Sequence, residues 1–236
     1  MITRRTILTG TLLLASLPTI PAWAEDKPTE IRIGTQKGGF FPAVRQRHSI
    51  EDAFKPLGID VRWIDFQFGP PLLEAINAGS VDFGFVGDAP PIFAQAGGAA
   101  IRYVAAVKSD GNTQAIIVPK DSPIRTLADL RGKRIAFGKG SSAHNLLVAA
   151  LEKAGVAWSD ITPAPLAPAD ATAAFAKGAV DAWSIWDPYL ALAELNLRGI
   201  LRRAGNDIHR LRAERAAQMR SQFDDLFLVH ARPPTS

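Results

Sequence analysis

The chain has 236 residues with a formal net charge of +4, and it contains no cysteine. The lack of cysteine excludes disulfides, cysteine-based metal sites and a thiol nucleophile. The positive charge lies at the two ends: residues 25–197 carry 17 basic and 19 acidic side chains. This slightly acidic body argues against a nucleic-acid-binding protein.

The first 24 residues are typical of an export signal. Arg4 and Arg5 precede an apolar run at 7–20, and a small-x-small cleavage site ends at Ala24. The paired arginines are compatible with the twin-arginine route as well as with the general secretory route, and both stay open. A membrane anchor is disfavoured because the run is shorter than about 20 residues and contains proline.

Strand signals alternate with helix signals along the body, which predicts an α/β fold with a mainly parallel sheet. The first half predicts strands at 30–34, 61–66, 81–86 and 101–108 and helices at 42–57, 70–78 and 90–96. A strand at 114–118 is predicted to leave the first lobe, and 119–123 is predicted to be a linker. The second half predicts a helical turn at 127–130, strands at 134–137, 161–166 and 180–185, and helices at 142–154, 170–177 and 188–195.

An internal repeat with a period of about a hundred residues indicates two similar lobes with a cleft between them. Its first element is Arg-Ile followed by Lys-Gly, and its second is Gly-x-Val-Asp followed by a further aspartate. The matched residues are Arg32, Ile33, Lys37, Gly38, Gly79, Val81, Asp82 and Asp88 in the first copy, and Arg134, Ile135, Lys139, Gly140, Gly178, Val180, Asp181 and Asp187 in the second.

Four loops follow the repeated strands, and ligands of open α/β sheets bind beyond the carboxyl ends of strands. The sharpest signal is at 138–144, where glycines precede Ser141 and Ser142 at a predicted helix start. Backbone N–H groups at such a start favour an anion. The alternative is that one of the two serines only caps the helix, and both interpretations stay open.

The remaining loops at 35–39, 87–90 and 186–189 offer carboxylates and aromatic rings. Asp88 and Asp187 are predicted to organise their loops, with Asp88 as a helix N-cap, because an unpaired carboxylate beside an anion is repulsive. Trp186 and Tyr189 are either core residues or apolar walls for a ligand.

A hydrolase with a Ser142–His144 pair is disfavoured, because residues two apart on a helix point to different faces. No Gly-x-Ser-x-Gly motif and no metal-binding histidine pair is found in the sequence. We therefore expect no catalysis, no metal and no cofactor.

Together, the motifs at 34–37, 87–93, 127–134, 138–145 and 186–189 resemble those of the periplasmic substrate-binding proteins of ABC importers for aliphatic sulfonates. The wider family takes up taurine, nitrate and thiamine precursors, and the resemblance extends over about 31–195. It implies a type II periplasmic-binding-protein fold, with two α/β lobes around a ligand cleft and hinge strands between them. The implied organisation is a signal at 1–24, lobe 1 at 25–115, lobe 2 at 116–225 and the start of a return strand to lobe 1 at 226–236.

The resemblance implies that an alkanesulfonate binds in the cleft and is delivered to an ABC transporter permease by a monomeric periplasmic protein. Alternatives are a binding protein for taurine, nitrate or a thiamine precursor, or an enzyme of pyrimidine-precursor metabolism on the same fold. A regulatory sensing domain is disfavoured by the export signal. The predicted ligand-binding residues are Gln36, Lys37, Gly38, Asp88, Ala89, Gly140, Ser141, Ser142, Ala143, His144, Trp186 and Asp187.

The C-terminal part departs from this family, whose members continue for many tens of residues beyond this point. Within 198–220 the basic residues are arginines and none is lysine, unlike the rest of the body. The segment is either an amphipathic helix or the product of a reading-frame change, which we favour. Without covering helices, the expectation is that apolar sheet surface on lobe 1 is exposed.

Overall fold

The computed structural model describes residues 28–108, 113–119, 121–196, 202–203 and 225–231. The predicted export signal and most of 198–220 lie outside these residues. The elements of the first half are β1 (Glu30–Thr35), α1 (Phe41–Gln46), α2 (Ser49–Phe54), β2 (Asp60–Asp65), α3 (Gly69–Asn77), β3 (Phe83–Val86), α4 (Ala89–Ala96) and β4 (Ile101–Lys108). Those of the second half are β5 (Gln114–Val118), β6 (Arg134–Phe137), α5 (Ser142–Lys153), β7 (Thr162–Pro165), α6 (Pro168–Ala176), β8 (Ala182–Trp186), α7 (Tyr189–Asn196), β9 (Arg202–Arg203) and β10 (Asp225–Ala231).

Two five-stranded sheets form the centres of two lobes, so the predicted α/β class is confirmed. The strand order is β2-β1-β3-β10-β4 in the first sheet and β7-β6-β8-β5-β9 in the second. In each, the three strands at one side are parallel, and the fourth strand is antiparallel to its neighbours. The sheets are therefore mixed: in each, four strands run in one direction and the fourth strand in the order runs against them.

The fourth strand of each sheet comes from the chain segment that follows the other sheet's strands. β5 follows β4 along the chain but pairs with β8 in the second sheet, and β10 returns to pair with β3 and β4 in the first. The predicted lobe boundary between residues 115 and 116 falls inside β5. The chain therefore passes from one sheet to the other before Gln114.

The repeated arginine and aspartate make the same backbone connection in both lobes. The backbone N–H of Arg32 donates to Asp82 Oδ2 at 2.8 Å, and Asp82 N–H donates to the Arg32 carbonyl at 2.9 Å. Arg134 and Asp181 repeat this exchange at 2.7 and 2.8 Å. In each lobe the aspartate lies just before the third parallel strand, so the repeat ties that strand to the central one.

Both sheets are covered by helices that bury apolar side chains. In lobe 1, α3 packs Leu72, Leu73 and Ile76 on one face of the sheet. Phe41 of α1 packs with Ile33 in a second cluster. In lobe 2, α5 buries its apolar side against β5 and β6, while α6 and α7 pack against β8. The larger clusters lie in lobe 2, so the second lobe has the more extensive core among the described residues.

The predicted single helix at 42–57 is wrong, because the structure has two helices, separated at His48. His48 adopts the left-handed conformation with φ 52° and ψ 23°. On one continuous helix, Phe41 and Ile50 would lie about 180° apart, since each residue advances about 100°. The break allows both side chains to pack in the cluster around Ile33.

Among the described helices, none is long and apolar enough to cross a membrane.

Candidate functional site

A cleft of about 420 Å³ lies between the lobes and is lined by residues of both. Its lining residues come from the ends of parallel strands, the starts of three helices and the crossing from β4 to β5. They are Gln36, Gly38, Gly39, Gly69, Phe85, Gly87, Pro90, Lys108, Thr113, Gln114, Ser141, Ser142, Trp186 and Asp187.

The helices α3, α4 and α5 all begin at the cleft, but they offer different numbers of backbone donors. Both α3 and α4 have prolines in their first turn, which have no N–H group. The first turn of α5 has no proline, and its first N–H groups have no intrahelical partner. The start of α5 is therefore the richest source of N–H donors for an anion.

Ser141 acts as the N-cap of α5 and also lines the cleft. Its backbone is extended, and its Oγ accepts from the His144 N–H at 3.4 Å. The hydroxyl in turn donates to the Gly138 carbonyl at 2.7 Å. The capping interpretation therefore applies to Ser141, because its hydroxyl already accepts one hydrogen bond and donates another.

Ser142 lies at a close approach between the two lobes. A Cβ atom added to Gly87 would be 2.1 Å from Ser142 Oγ. Because real Cβ atoms do not approach another heavy atom so closely, the backbone of lobe 1 reaches Ser142 only where glycine occupies this position. The helix start of lobe 2 thus faces the strand end of lobe 1 directly.

A second contact between the lobes involves Gly38, which was predicted to lie at the site. A Cβ at Gly38 would be 2.8 Å from the Asp187 carbonyl oxygen and 3.4 Å from the Trp186 ring. Next to it, Gly39 has φ +82° and would place a Cβ 2.2 Å from the Phe85 ring. Glycine at both positions lets the loop after β1 lie flat against both lobes.

Gln36 is held at the cleft by its own side chain. Its Nε2 donates to the Phe85 carbonyl at 2.8 Å, which bridges the ends of β1 and β3. This bond fixes the amide group, and the second Nε2 proton has no acceptor among the described residues.

Lys37 does not line the cleft, although the sequence predicts it there. Its Nζ lies 5.6 Å from the ring centroid of Tyr189, and Tyr189 contacts Trp186 edge-on. Lys37 therefore contributes a cation–π contact between the lobes.

The predicted N-cap role of Asp88 is wrong. Asp88 has a helical backbone, with φ −60° and ψ −44°, whereas a capping residue needs an extended one. Its side chain makes no capping bond, and among the described residues its buried Oδ1 has no hydrogen-bond partner. Asp187, in contrast, lines the cleft and its Oδ1 accepts from the Ala191 N–H at 3.1 Å.

His144 lies beside the cleft in a group of aromatic rings and is absent from its lining. It stacks on Phe137 at 4.8 Å and on Phe93 at 6.1 Å, and its Nδ1 accepts from the Gly140 N–H at 3.3 Å. Burial, reinforced by the charge of Lys139, lowers the pKa of His144. The Nδ1 lone pair is thus engaged by Gly140 and not by a serine nucleophile.

The last three predicted residues flank the cleft without lining it. Ala89 and Ala143 are buried in the first turns of α4 and α5. Gly140 has φ +72° and turns the chain into α5. Of the twelve predicted residues, the structure brings six to the cleft wall: Gln36, Gly38, Ser141, Ser142, Trp186 and Asp187.

Sequence reasoning missed the part of the cleft formed where the chain crosses between sheets. Lys108 ends β4, Thr113 comes just before β5, and Gln114 begins β5. Gly69 was also missed, although a glycine before two prolines at a helix start is a recognisable signal. Within the described part of the chain, no three potential ligand side chains cluster to hold a metal ion.

Comparison with known proteins places this cleft in a family context. The sequence matches the family described as NMT1/THI5 like over residues 53–219. It is 47% identical over 182 residues to a protein of Escherichia coli strain K12 named for binding aliphatic sulfonates, covering 77% of this chain and 57% of that relative. The chain thus spans little more than half the length of this curated relative.

Two solved structures share the fold and substantial sequence identity. The alkanesulfonate-binding protein SsuA from Xanthomonas axonopodis pv. citri, bound to MOPS, is 42% identical with a TM-score of 0.74, covering 87% of this chain and 66% of that one. The periplasmic aliphatic sulphonate binding protein SsuA from Escherichia coli is 43% identical with a TM-score of 0.68, covering 87% of this chain and 62% of that one.

Proposed function

We propose that this chain, which belongs to the NMT1/THI5-like family, captures aliphatic sulfonates outside the cytoplasm. It then delivers them to the permease of an ABC importer. The observation that carries the proposal is the cleft between the lobes, where three helix starts face an apolar wall. The relatives named for binding sulfonates support the same ligand class.

The anion end of the cleft is assigned to the start of α5. A sulfonate is a fixed monoanion with three oxygen acceptors, so it needs several donors and no proton-accepting group. The Ser142 hydroxyl, the free N–H groups of the first turn and the Gln36 amide supply such donors from both lobes. Ser141 supports them by capping the helix and fixing the turn at Gly138.

The organic part of the ligand is assigned to the apolar lining. Phe85 and Pro90 contribute this surface from lobe 1, and the Trp186 ring contributes it from lobe 2. A cleft of about 420 Å³ lies within the range of small-molecule sites. It accommodates a short alkyl chain and leaves room for a bulkier substituent.

The balance of energies favours a binding protein of ordinary affinity. Charge-assisted hydrogen bonds contribute about 1.5–3 kcal/mol each before association costs are subtracted. Three or four of them are compatible with micromolar binding, which corresponds to about −8 kcal/mol. Lys108 at the cleft wall adds a favourable long-range field for an anion.

We assign the protein a periplasmic location and a transport role without catalysis. The export signal predicted at 1–24 and the naming of the Escherichia coli structure as periplasmic support the location. The engagement of His144 Nδ1 by Gly140 supports binding over hydrolysis.

A calorimetric titration of the chain from Glu25 tests the function. We expect butane-1-sulfonate and MOPS to bind with micromolar affinity in a Tris buffer free of sulfonates, and sulfate and nitrate to bind more weakly. A thermal-shift panel with taurine added would rank the ligand classes, since a ligand at 100 times its Kd stabilises by about 2.7 kcal/mol.

The Ser142→Ala variant tests the assigned anion end, and Ser80→Ala is its matched control. Ser80 is exposed, does not line the cleft, and its hydroxyl donates to the Ala75 carbonyl at 3.0 Å. Loss of sulfonate affinity in the first variant alone supports the assigned anion end. An absence of binding or stabilisation by every anion in the panel would refute the proposed function for this chain.

A further inference from the structure

An aromatic stack outside the cleft connects the two lobes. Phe93 of α4 belongs to lobe 1, and its ring lies 6.1 Å from the His144 ring of α5 with an interplanar angle of 16°. The Phe93 side chain is 52% exposed, so it contributes little to the core of its own lobe. Its described ring contact is with the other lobe.

His144 is held rigidly for this contact by lobe 2. Its ring also stacks on Phe137 at 4.8 Å, and the Trp158 ring lies 5.4 Å away. The Gly140 N–H donates to Nδ1 and fixes the rotation of the imidazole. The rings of Phe93, His144 and Phe137 therefore form a chain of stacked contacts that runs from one lobe into the other.

The stack lies on the same two helices that begin at the cleft. Pro90 lines the cleft three residues before Phe93, and Ser142 lines it two residues before His144. The rings can therefore stack only when the start of α5 is next to the end of β3, where Gly87 meets Ser142. Opening the cleft would separate the rings and the anion donors together.

From this geometry we propose that Phe93 and His144 form a closure latch, which stabilises the closed arrangement of the lobes without touching the ligand. Phe93 and His144 are positioning residues, because they hold Ser142 and the first turn of α5 opposite lobe 1. The latch slows ligand release, an effect that rests on the proposed function. Its effect on the separation of the lobes does not depend on the identity of the ligand.

The lack of cysteine in the chain permits a direct test by site-specific labelling. The exposed Lys55 in lobe 1 and Lys177 in lobe 2 are replaced by cysteine and spin-labelled, and the distance distribution is measured with and without butane-1-sulfonate. Phe93→Ala is expected to move the distribution towards longer distances in both conditions. Ile92→Ala, at the exposed neighbouring position of α4, is the matched control, and Phe93→Tyr should restore the shorter distances because it keeps the ring.

Dissociation of butane-1-sulfonate, followed by stopped-flow fluorescence, provides the second readout. The loss of one stacked pair predicts about three- to tenfold faster release in Phe93→Ala, and the control should stay within about twofold of the unmodified chain. His144→Ala should reproduce the effect, and the double variant should add little to either single change, as expected for partners in one contact.

The outcomes separate the two proposals. Unchanged lobe distances in Phe93→Ala, or equal effects of Phe93→Ala and Ile92→Ala, would overturn the latch. If the unmodified chain binds no sulfonate, the proposed function fails, while longer distances in Phe93→Ala alone would still support the latch.

Discussion

The two lobes share one scaffold but present different chemistry to the cleft. Both have three parallel strands and an antiparallel fourth, and both join the first and third of the repeated strands through an arginine and an aspartate. At the cleft, lobe 2 offers a capped helix with serines, whereas lobe 1 offers glycines and a proline-started helix. The repeat therefore encodes the scaffold, and the departures from the repeat build the site.

The same comparison explains why the two lobes lie close together. A side chain at Gly38 would collide with the Asp187 carbonyl, and one at Gly87 with the Ser142 hydroxyl, so lobe 1 contributes bare backbone surface at both contacts. Under the proposed function, a flat surface opposite a polar helix start lets donors from both lobes approach one anion.

Truncating the matched core isoleucines is expected to have the largest effect on the free energy of unfolding. The cost should also differ between the two lobes. Ile33 and Ile135 occupy the same position of the repeat and are both fully buried. Replacement by alanine costs about 2–5 kcal/mol at such sites. We expect Ile135→Ala to lie near the upper end and Ile33→Ala near the lower end, because Ile135 belongs to the larger cluster.

Urea unfolding, monitored by circular dichroism, measures both costs. Equal losses of unfolding free energy, or a greater loss for Ile33→Ala, would contradict the conclusion that lobe 2 has the more extensive core.

Adding a methyl group at the junction of the lobes tests the tight contact. Gly87→Ala places a Cβ against Ser142 Oγ, so we expect sulfonate affinity to fall by about tenfold, equivalent to about 1.4 kcal/mol. Calorimetry gives the affinity. Gly97→Ala is the control, since its added Cβ meets only ordinary contacts and its backbone does not require glycine.

The double variant Gly87→Ala with Ser142→Gly identifies the colliding atom. In the Ser142→Gly background, a loss of affinity smaller than tenfold on adding Gly87→Ala supports a collision with the serine side chain. A full tenfold loss in that background would show that the backbone at Gly87 matters for another reason.

Replacing the two repeated aspartates is expected to cost less stability than truncating the isoleucines. Asp82→Ala removes acceptors for the backbone and the guanidinium of Arg32, which it binds at 2.8, 2.9 and 2.6 Å. Asp181→Ala removes the acceptor for the Arg134 N–H. Each net hydrogen bond contributes about 1 kcal/mol, and the half-buried bonds from the Arg32 guanidinium add to the backbone bond, so we expect the larger loss at Asp82.

Chemical denaturation of the two alanine variants and of the corresponding asparagine variants gives these losses. Asparagine keeps an acceptor for the backbone N–H and should recover part of the stability. A loss at Asp181 equal to that at Asp82 would mean that the Arg32 guanidinium contributes nothing.

The smallest expected effect is a pH dependence of stability due to His144, which has no counterpart at the start of α4. Burial lowers the pKa of His144 in the folded state below the ordinary value of about 6.5. The folded protein therefore binds fewer protons than the unfolded chain near that pH. Its contribution to stability is complete above about pH 6.5 and is lost as the pH falls through the lowered pKa.

Unfolding free energies between pH 5 and 8 should thus fall on the acid side for the unmodified chain and fall less for His144→Phe. Asp129 does not interfere in this window, because the backbone N–H groups of Arg125 and Thr126 lower its pKa below the ordinary range near 4. Identical pH profiles for the two proteins would place the titration elsewhere.

The scaffold could be predicted because it depends on short-range patterns. The strands at 101–108, 114–118 and 134–137 were located by runs of β-branched and apolar residues, and their bounds agree with β4, β5 and β6. The helix break at His48 could not be predicted, since it depends on where the sheet lies under Phe41 and Ile50. No local residue type encodes that constraint.

The site was predicted only in part for the same reason. Ser141, Ser142 and Trp186 carry local signals at a helix start and a strand end, and they line the cleft. Asp88 and His144 carry equally strong local signals, but the side chain of Asp88 makes no cap and the ring of His144 joins a stack. A sequence motif shows which groups are available, and only the packing decides which way they point.

The sequence by itself determined the two-lobed α/β scaffold, because the repeat and the alternation of strands and helices are local and occur twice. Only the tertiary structure decided that the lobes approach closely at Gly38 and Gly87, that Lys108, Thr113 and Gln114 complete the cleft, and that Phe93 reaches His144. These contacts join residues of different lobes, and their distances depend on how two separately folded cores are positioned by the crossing strands.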